Sequence, residues 1–510
     1  MDQIKSSQSI TERVDNRSQT LNLIFDKLNF FCEEFNMSDK ATLESVNKIE
    51  GGWCEKEFST IKLGDKRLNN RLIKMAEDLS NQLSSPINQA SNDWSSAKAA
   101  YRLFDNEAVT AEKILAPHIE NTIERMTNYK KLLAVQDTTS FNFGGHTAVE
   151  GLGHIGKEET QGFMQHNTMI VTPDGLPLGL IHQLCWTRPQ TVEEKRENAL
   201  IDIEERESSK WLIGLHNTHE RKPEGVEVIT VCDREADIYE FLDEAVTLQE
   251  KFLVRLKVNR EIDESGEPIK EFLKSQPSVA EYVIEVPKKK GEYPSRVAQL
   301  EVRYAAVTVD APAHLESSVK NDEIKMYGIY VTEVNAPEGI KPIKWFLLTN
   351  DRVSNAADAL EKVGWYRTRW LIETYHKVEK SCCAIEDCRL ETVERLLRFI
   401  ALKSIIAWRV LWFTYMNRQN PDAPASKILS EPEIKIMEAK INKKRKDNER
   451  FKKIKTVRQA VRAVASLGGH MGRLSDNEPG IIAISRGLER LHDLSEGVLL
   501  ARFLKVMGNR

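Results

Sequence analysis

Two short apolar runs, KLLAVQD and EVITVCD, each end in an aspartate: Asp137 and Asp233. Such runs read as buried strands, and the second passes at once into a helical pattern. A carboxylate at the C-terminal end of a buried strand stands at the rim of a sheet, where open α/β sheets build their sites. This pair constrains the fold to an α/β class. Asp also ends strands as a turn former or helix N-cap, and either aspartate taken singly fits that role. A third carboxylate gives the pair its meaning.

That carboxylate is Glu373, in the stretch VGWYRTRWLIETYHKVEK from Val363 to Lys380. The stretch has no Pro and mixes aromatic, apolar and charged residues at helical spacing. With Tyr366 as zero and about 100° per residue, Arg369, Glu373 and Lys380 fall near 300°, 340° and 320°. A phenol, a guanidinium, a carboxylate and an ammonium then share one stripe. Taken alone, Arg369 and Glu373 are also an ordinary i,i+4 surface pair. Three hard oxygen donors from separate elements suit Mg²⁺, or Mn²⁺ in its place, and not zinc. Two such ions between attacking and leaving oxygens would support in-line displacement at a phosphodiester.

The 510 residues suffice for two to four domains. No apolar run approaches the roughly 18 residues of a membrane span, and the N-terminus lacks a signal-peptide segment. The expected compartment is the cytoplasm, with no membrane partner. Cys32, Cys54, Cys185, Cys232, Cys382, Cys383 and Cys388 are odd in number and scattered, which argues for reduced thiols. Cys382, Cys383 and Cys388 beside His376 invite a zinc reading, but no second ligand pair stands at finger spacing. A net charge of −4 leaves nucleic acid open as a partner through local patches.

Along the chain, residues 1–50 hold an amphipathic helix or two around Thr20–Phe35 and no assignable chemistry. From Trp53 helices follow, carrying Lys66, Arg67, Arg71 and Lys74, then Arg102 beside Tyr101. Small residues, an aromatic and cations suit a DNA backbone, and equally a solvated helical bundle. Strand character starts at Lys131, with a hairpin about Pro173-Asp174-Gly175. A charged helical segment runs from Val192 to about His216. KFLVRLKVN is a strand that projects Arg255 and Lys257 to one face. Short β patterns between about 258 and 345 predict an inserted antiparallel subdomain. Residues 393–416 are apolar all round, which predicts a buried helix. Lys440–Lys455 carries nine Lys or Arg against two Asp or Glu, a phosphate-seeking or merely solubilising segment. The tail predicts a long helix with an apolar stripe of Leu488, Leu491, Leu494, Val498 and Leu499.

The spacing Tyr366-x2-Arg369-x3-Glu373-x6-Lys380 resembles the signature of bacterial DDE transposases of the insertion-sequence-four type. LLAVQDTTS around Asp137, IHQLCWTRP, ESSKW at 207–211, VCDREADI around Asp233, KWFLLT at 344–349, KLGDKRLNNRL at 62–72 and LGGHMGRL at 467–474 look similar, in the same order. The resemblance covers about residue 52 to near the C-terminus and leaves residues 1–50 as an extension. It implies an RNase H-like catalytic core, a mixed sheet flanked by helices, over 121–415. It further implies an end-binding helical domain over 51–120, and a basic linker with helical dimerisation domain over 416–510.

It also implies roles. Asp137, Asp233 and Glu373 would hold two metal ions, while Arg369, Lys380 and Tyr366 would hold phosphates beside the cut. Water frees a 3′-hydroxyl at the element's end, the hydroxyl makes a hairpin that is reopened, and it then attacks target DNA. A hairpin needs a base out of the stack, for which Trp345 matches the family's stacking position and Trp370 is a second candidate. Lys66, Arg67, Arg71, Arg102, Arg234, Arg255 and Lys257 are further candidate DNA contacts. Paired ends call for a two-fold dimer through the C-terminal helices on double-stranded DNA. Two rivals share these residues: a nuclease that cuts without joining, and a non-catalytic DNA-binding regulator.

Overall fold

The computed structural model describes residues 52–508 except 92, 147, 157–159, 189–206, 263–265, 287–292, 444–451 and 474–475. The N-terminal extension, most of the Val192–His216 segment and the centre of the basic stretch therefore lie outside the described residues.

Helices come first: α1 (Trp53–Glu57), α2 (Lys66–Asn81), α3 (Ile87–Ala90), α4 (Trp94–Asp105) and α5 (Ala111–Met126). Their starts follow from capping side chains: Asp65 accepts from Arg67 N, Asp93 from Ser96 N, and Thr110 from Lys113 N. The last of these helices runs past residue 120, where the helical region was expected to stop, to Met126. It is anchored beneath the sheet. His118 Nδ1 meets Glu57 Oε1 at 2.5 Å, Arg125 pairs with Glu57, and Leu180 N donates to His118 Nε2.

The centre is a ten-stranded sheet. Its first part holds β1 (Lys131–Asn142), β2 (Gly153–His154), β3 (Gln161–Val171) and β4 (Pro177–Trp186). The hairpin of β3 and β4 turns at Pro173–Gly175, as expected. After α6 (Ser209–Arg221) come β5 (Glu227–Cys232), α7 (Tyr239–Thr247) and β6 (Lys251–Arg255). β1 pairs parallel with β5, β5 parallel with β6, and β3 antiparallel with β1. The parallel strands are apolar because both faces are covered.

The inserted segment includes β7 (Glu261–Ile262), β8 (Glu267–Pro268) and α8 (Ile269–Ser275). It continues with β9 (Ala280–Val286), β10 (Arg296–Asp310), β11 (Glu323–Glu333) and β12 (Lys344–Thr349). β7 and β8 form a small two-stranded sheet of their own, but the longer strands do not make a separate sheet. The last strand pairs antiparallel with β6, so Leu347 faces Arg255, and the meander extends the central sheet outward. The physical reason is KWFLLT: its apolar half fills the open edge of β6, while Trp345 remains half-buried toward the next helix.

The chain then forms α9 (Ala356–Thr368), α10 (Trp370–Lys377) and a π-turn over Val378–Cys382. α11 (Val393–Gln419) is 27 residues long, capped by Thr392, and buried on most sides as its composition predicts. It passes under the sheet against α5 and β4, and its first half meets the N-terminal helices through Arg395–Asp105 and Lys403 Nζ to Leu83 O at 2.6 Å. α12 (Glu431–Asn442), α13 (Val457–Leu467) and α14 (Ile481–Gly508) close the chain. The expected C-terminal stripe divides. Leu491 is buried and Leu488 and Leu494 pack into the same core as α13, whereas Leu499, Leu500, Phe503 and Leu504 are exposed. Intramolecular packing against α13 takes the first half of the stripe, because Gly487 has no Cβ to strike the Val464 carbonyl and so lets the two helices approach there.

Candidate active site

Asp137 and Asp233 emerge side by side. The parallel register of β1 and β5 ends at Val135 opposite Val231, and each aspartate lies two residues further on. Asp233 follows the end of β5, but Asp137 is not the end of its strand as expected, because β1 stays paired with β3 as far as Asn142. Asp137 Oδ1 accepts from Thr138 N at 2.8 Å, and Asp233 Oδ1 caps the short turn after it through Glu235 N at 2.7 Å. The turn-capping role is therefore real for Asp233, whose second oxygen is unused by that cap, whereas Asp137 lies within β1 and caps no turn.

Glu373 comes from α10, which packs on β1 and buries Leu371, Ile372 and Tyr375. Arg369 joins α9 to α10 with helical dihedrals (φ −50°, ψ −33°). Its guanidinium donates to Asp137 Oδ2 at 3.0 Å and to Glu373 Oε1 at 2.6 Å. The pair that looked like a surface contact is thus a buried three-way bridge, with Arg369 only 8% exposed. Burial lifts the Asp137 carboxyl to about 6; Arg369 and the Thr138 amide oppose this, while Asp233 and Glu373 add to it. All three acids therefore share one electrostatic neighbourhood.

The expected single stripe does not persist. Tyr366 is buried, lies against Arg369 at 5.7 Å and Trp345 at 5.7 Å, and its hydroxyl meets the Arg255 guanidinium. Beyond Lys377 the π-turn takes extra residues per turn, and Cys383 N bonds Val378 O at 2.9 Å. The α-helical bearing of Lys380 is lost there, and its Nζ lies over the Phe141 ring at 5.5 Å, beside the end of β1. Trp370 is 64% exposed. Arg234 and Lys257 are exposed around the same rim, whereas Lys66, Arg67, Arg71 and Arg102 belong to the N-terminal helices, where Arg67 forks onto Asp65.

A buried polar layer beneath these groups has its signal in the run Gln165-His166-Asn167-Thr168, polar in the middle of an otherwise apolar hairpin. Gln165 Nε2 donates to Glu379 Oε1 at 3.0 Å, which also accepts from Tyr375 and Ser404. His166 links Thr138 at 2.9 Å to Gln136 at 3.1 Å, and Asn167, opposite Asp137, meets His376 at 3.2 Å. Burial, with Lys380 and Arg369 nearby, pushes His376 down to about 3, so its ring is neutral. Cys382, Cys383 and Cys388 are buried free thiols.

Among the described residues, no three His, Cys, Asp or Glu side chains stand close enough to hold a metal ion. The physical reason at the acids is Arg369, whose guanidinium fills the space between Asp137 and Glu373. The donor chemistry fits a hard divalent cation, since Asp137 feels both other carboxylates. Guanidinium and cation are alternatives for the same charge.

A guanidinium and carboxylates beside parallel strands are chemistry that suits phosphate-bearing substrates and hard cations. Residues 50–109 match the family described as Transposase DNA-binding, and residues 212–409 match that described as Transposase DDE domain. Together they support a DNA transposase, and its mixed α/β sheet is consistent with an RNase H-like DDE domain. The second match takes in Asp233 and Glu373 and begins after Asp137. DDE domains of this kind generally use divalent metals. Among the described residues no helix is long and apolar enough to cross a membrane.

Proposed function

We propose that this chain cuts the ends of a mobile element and joins them to target DNA, as a transposase of the insertion-sequence-four type close to that of the kanamycin-resistance composite transposon. One observation carries the reading: Arg369 gathers Asp137 and Glu373 at a carboxylate cluster that Asp233 adjoins. The three acids are far apart in sequence, and a merely structural ion pair would not need a third acid beside it.

In this reading Asp137, Asp233 and Glu373 hold two Mg²⁺ ions, or Mn²⁺ in their place. The ions, once bound, would polarise the scissile phosphate and the attacking oxygen. Arg369, released from the acids, turns its fork to a phosphate, and Lys380 holds a neighbouring one. Tyr366 and Arg255 act as one unit beside them, with Trp345 against the phenol and available to an unstacked base. Cleavage through a hairpin uses the same residues for each successive oxygen nucleophile. The helices from Trp53 to about Leu115 read the element's end. A two-fold dimer forms through the C-terminal helices, supported by the exposed Leu499, Leu500, Phe503 and Leu504.

The test combines full-length protein, Mg²⁺, end DNA taken from the sequence flanking the gene, and a plasmid target. Joined product is expected, and Glu373→Gln should keep DNA binding while losing cleavage by at least about a thousandfold. Nicks without joined product would leave a nuclease. Undiminished cleavage by Glu373→Gln would sink the assignment of the acids.

A further inference from the structure

The π-turn over Val378–Cys382 continues the helix of Glu373 and carries Lys380. Its Glu379 is fully buried. Glu379 Oε1 accepts from Gln165 Nε2 of β3 at 3.0 Å, from Ser404 Oγ of α11 at 2.8 Å and from the Tyr375 hydroxyl of α10 at 2.9 Å. Its Oε2 is buried with no hydrogen-bond partner among the described residues, and so is Oε1 of the same Gln165 amide. Two bare acceptors flanking one hydrogen bond are costly, and more so if the carboxyl is ionised. One proton resolves both. Protonated on Oε2, the carboxyl becomes a donor, and the free oxygen of the amide already bonded to Oε1 becomes its acceptor.

β3 also fixes the other side of Lys380. Gln165 and Phe163 are two residues apart and share a face of that strand. Phe163 stands opposite Phe141 of β1, their rings stacked at 5.2 Å, and Lys380 Nζ lies over Phe141 at 5.5 Å. One strand thus holds the turn that carries the ammonium and supports the ring on which the ammonium rests.

We propose that Glu379 is a positioning residue for Lys380: as a neutral acid paired with Gln165 it pins the π-turn to β3, and loss of its proton frees the turn. Its role in the reaction rests on the reading of Lys380 as a phosphate-holding residue of a DNA-cutting site. The titratable groups that face Glu379 are Tyr375, Cys185 of β4 and Cys383, all pushed up by burial and neutral. Lys380 is the cation beside it. Lys403 of α11 and Glu489 of α14 act on Cys383, and Glu386 is engaged by Asn142 N. His166 is the neighbour of Gln165 on β3 and faces the other side of the sheet, toward Thr138 and Gln136. With the carboxyl lifted to about 7 by burial, the proton is largely present at pH 6 and about nine-tenths lost at pH 8.

The placement is tested first without DNA or metal. Full-length protein is acylated briefly with an amine-reactive ester, and modification of Lys380 is followed by mass spectrometry. The wild-type rate divided by that of Glu379→Gln, whose amide keeps both bonds to Gln165, should rise severalfold from pH 6 to pH 8. The division cancels the titration of the amine itself. Glu379→Ala, checked for folding by its melting temperature, should react fast at both pH values. A ratio that does not change with pH would overturn the proposal. In the Mg²⁺ reaction on end DNA, the wild-type rate divided by the Glu379→Gln rate should instead fall about tenfold over the same range. Adding Lys380→Ala to both proteins should abolish that fall, which a merely structural Glu379 would leave in place; its persistence would overturn the positioning role. If acylation behaves as expected while no protein cuts end DNA, the placement of Lys380 stands and the reading of the site as DNA-cutting has failed.

Discussion

Arg369 donates to the carboxylate of Asp137 at 3.0 Å, across 232 positions of chain. A second nitrogen of the same guanidinium is committed to Glu373. Two acids proposed to take a divalent cation are therefore compensated internally. Under the proposed function the arginine would have to turn away before it could serve a phosphate, which would link cation binding to release of Arg369.

Replacing the arginine should expose that linkage. Arg369→Ala leaves Asp137 and Glu373 uncompensated and should destabilise the metal-free protein by about 1–3 kcal/mol. Mn²⁺ should then raise its melting temperature more than it raises that of the wild type, because no guanidinium competes. Thermal denaturation with and without Mn²⁺ checks this. An equal Mn²⁺ effect in both proteins would show that the guanidinium and the cation do not compete.

Glu379 provides a pH dependence of defined sign. Burial raises its carboxyl to about 7, against hydrogen bonds from Gln165, Ser404 and Tyr375 that lower it. A raised carboxyl contributes stability that is fully present below the unfolded value near 4.5 and is lost as pH rises through about 7. Glu379→Gln should therefore stabilise the protein at pH 8 relative to wild type, by up to ~3 kcal/mol, and flatten that window. Denaturant midpoints between pH 4.5 and 8 test it; a steeper loss in the variant would contradict the account.

Gly214 permits the layer beneath Asp137. A Cβ there would stand 2.5 Å from Gln136 Oε1, in the chain that runs through His166 to Thr138. Gly214→Ala should displace Gln136 and cost about 1–3 kcal/mol, as overpacking does. Unchanged stability in urea unfolding would mean that the layer yields freely.

Ala384 adopts φ 46°, ψ 44°, the left-handed region, just after the turn that carries Lys380. That conformation costs a non-glycine residue roughly 1–2 kcal/mol. Ala384→Gly should stabilise the fold by about 0.5–1 kcal/mol once the greater freedom of unfolded glycine is allowed for. A lower melting temperature would show that Ala384 is not strained.

The strand that carries Asp137 runs five residues beyond it, to Asn142, whereas the strand that ends before Asp233, the β3–β4 hairpin, the buried helix from Val393 and the position of Glu373 on a helix were all legible in the residues. Each rests on local periodicity or on an apolar run, which neighbours in sequence encode. The joining of Arg369 to Asp137, the engagement of Tyr366 by Arg255, the π-turn before Lys380 and the extension of the sheet by the inserted strands were not. Each depends on which distant surfaces meet. The Tyr366–Arg369–Glu373–Lys380 spacing determined that acid and base would lie close together. Only the tertiary structure decided that Arg369 faces inward to two carboxylates: burial left its charge no solvent, and Asp137 is the acid that β1 places beneath it.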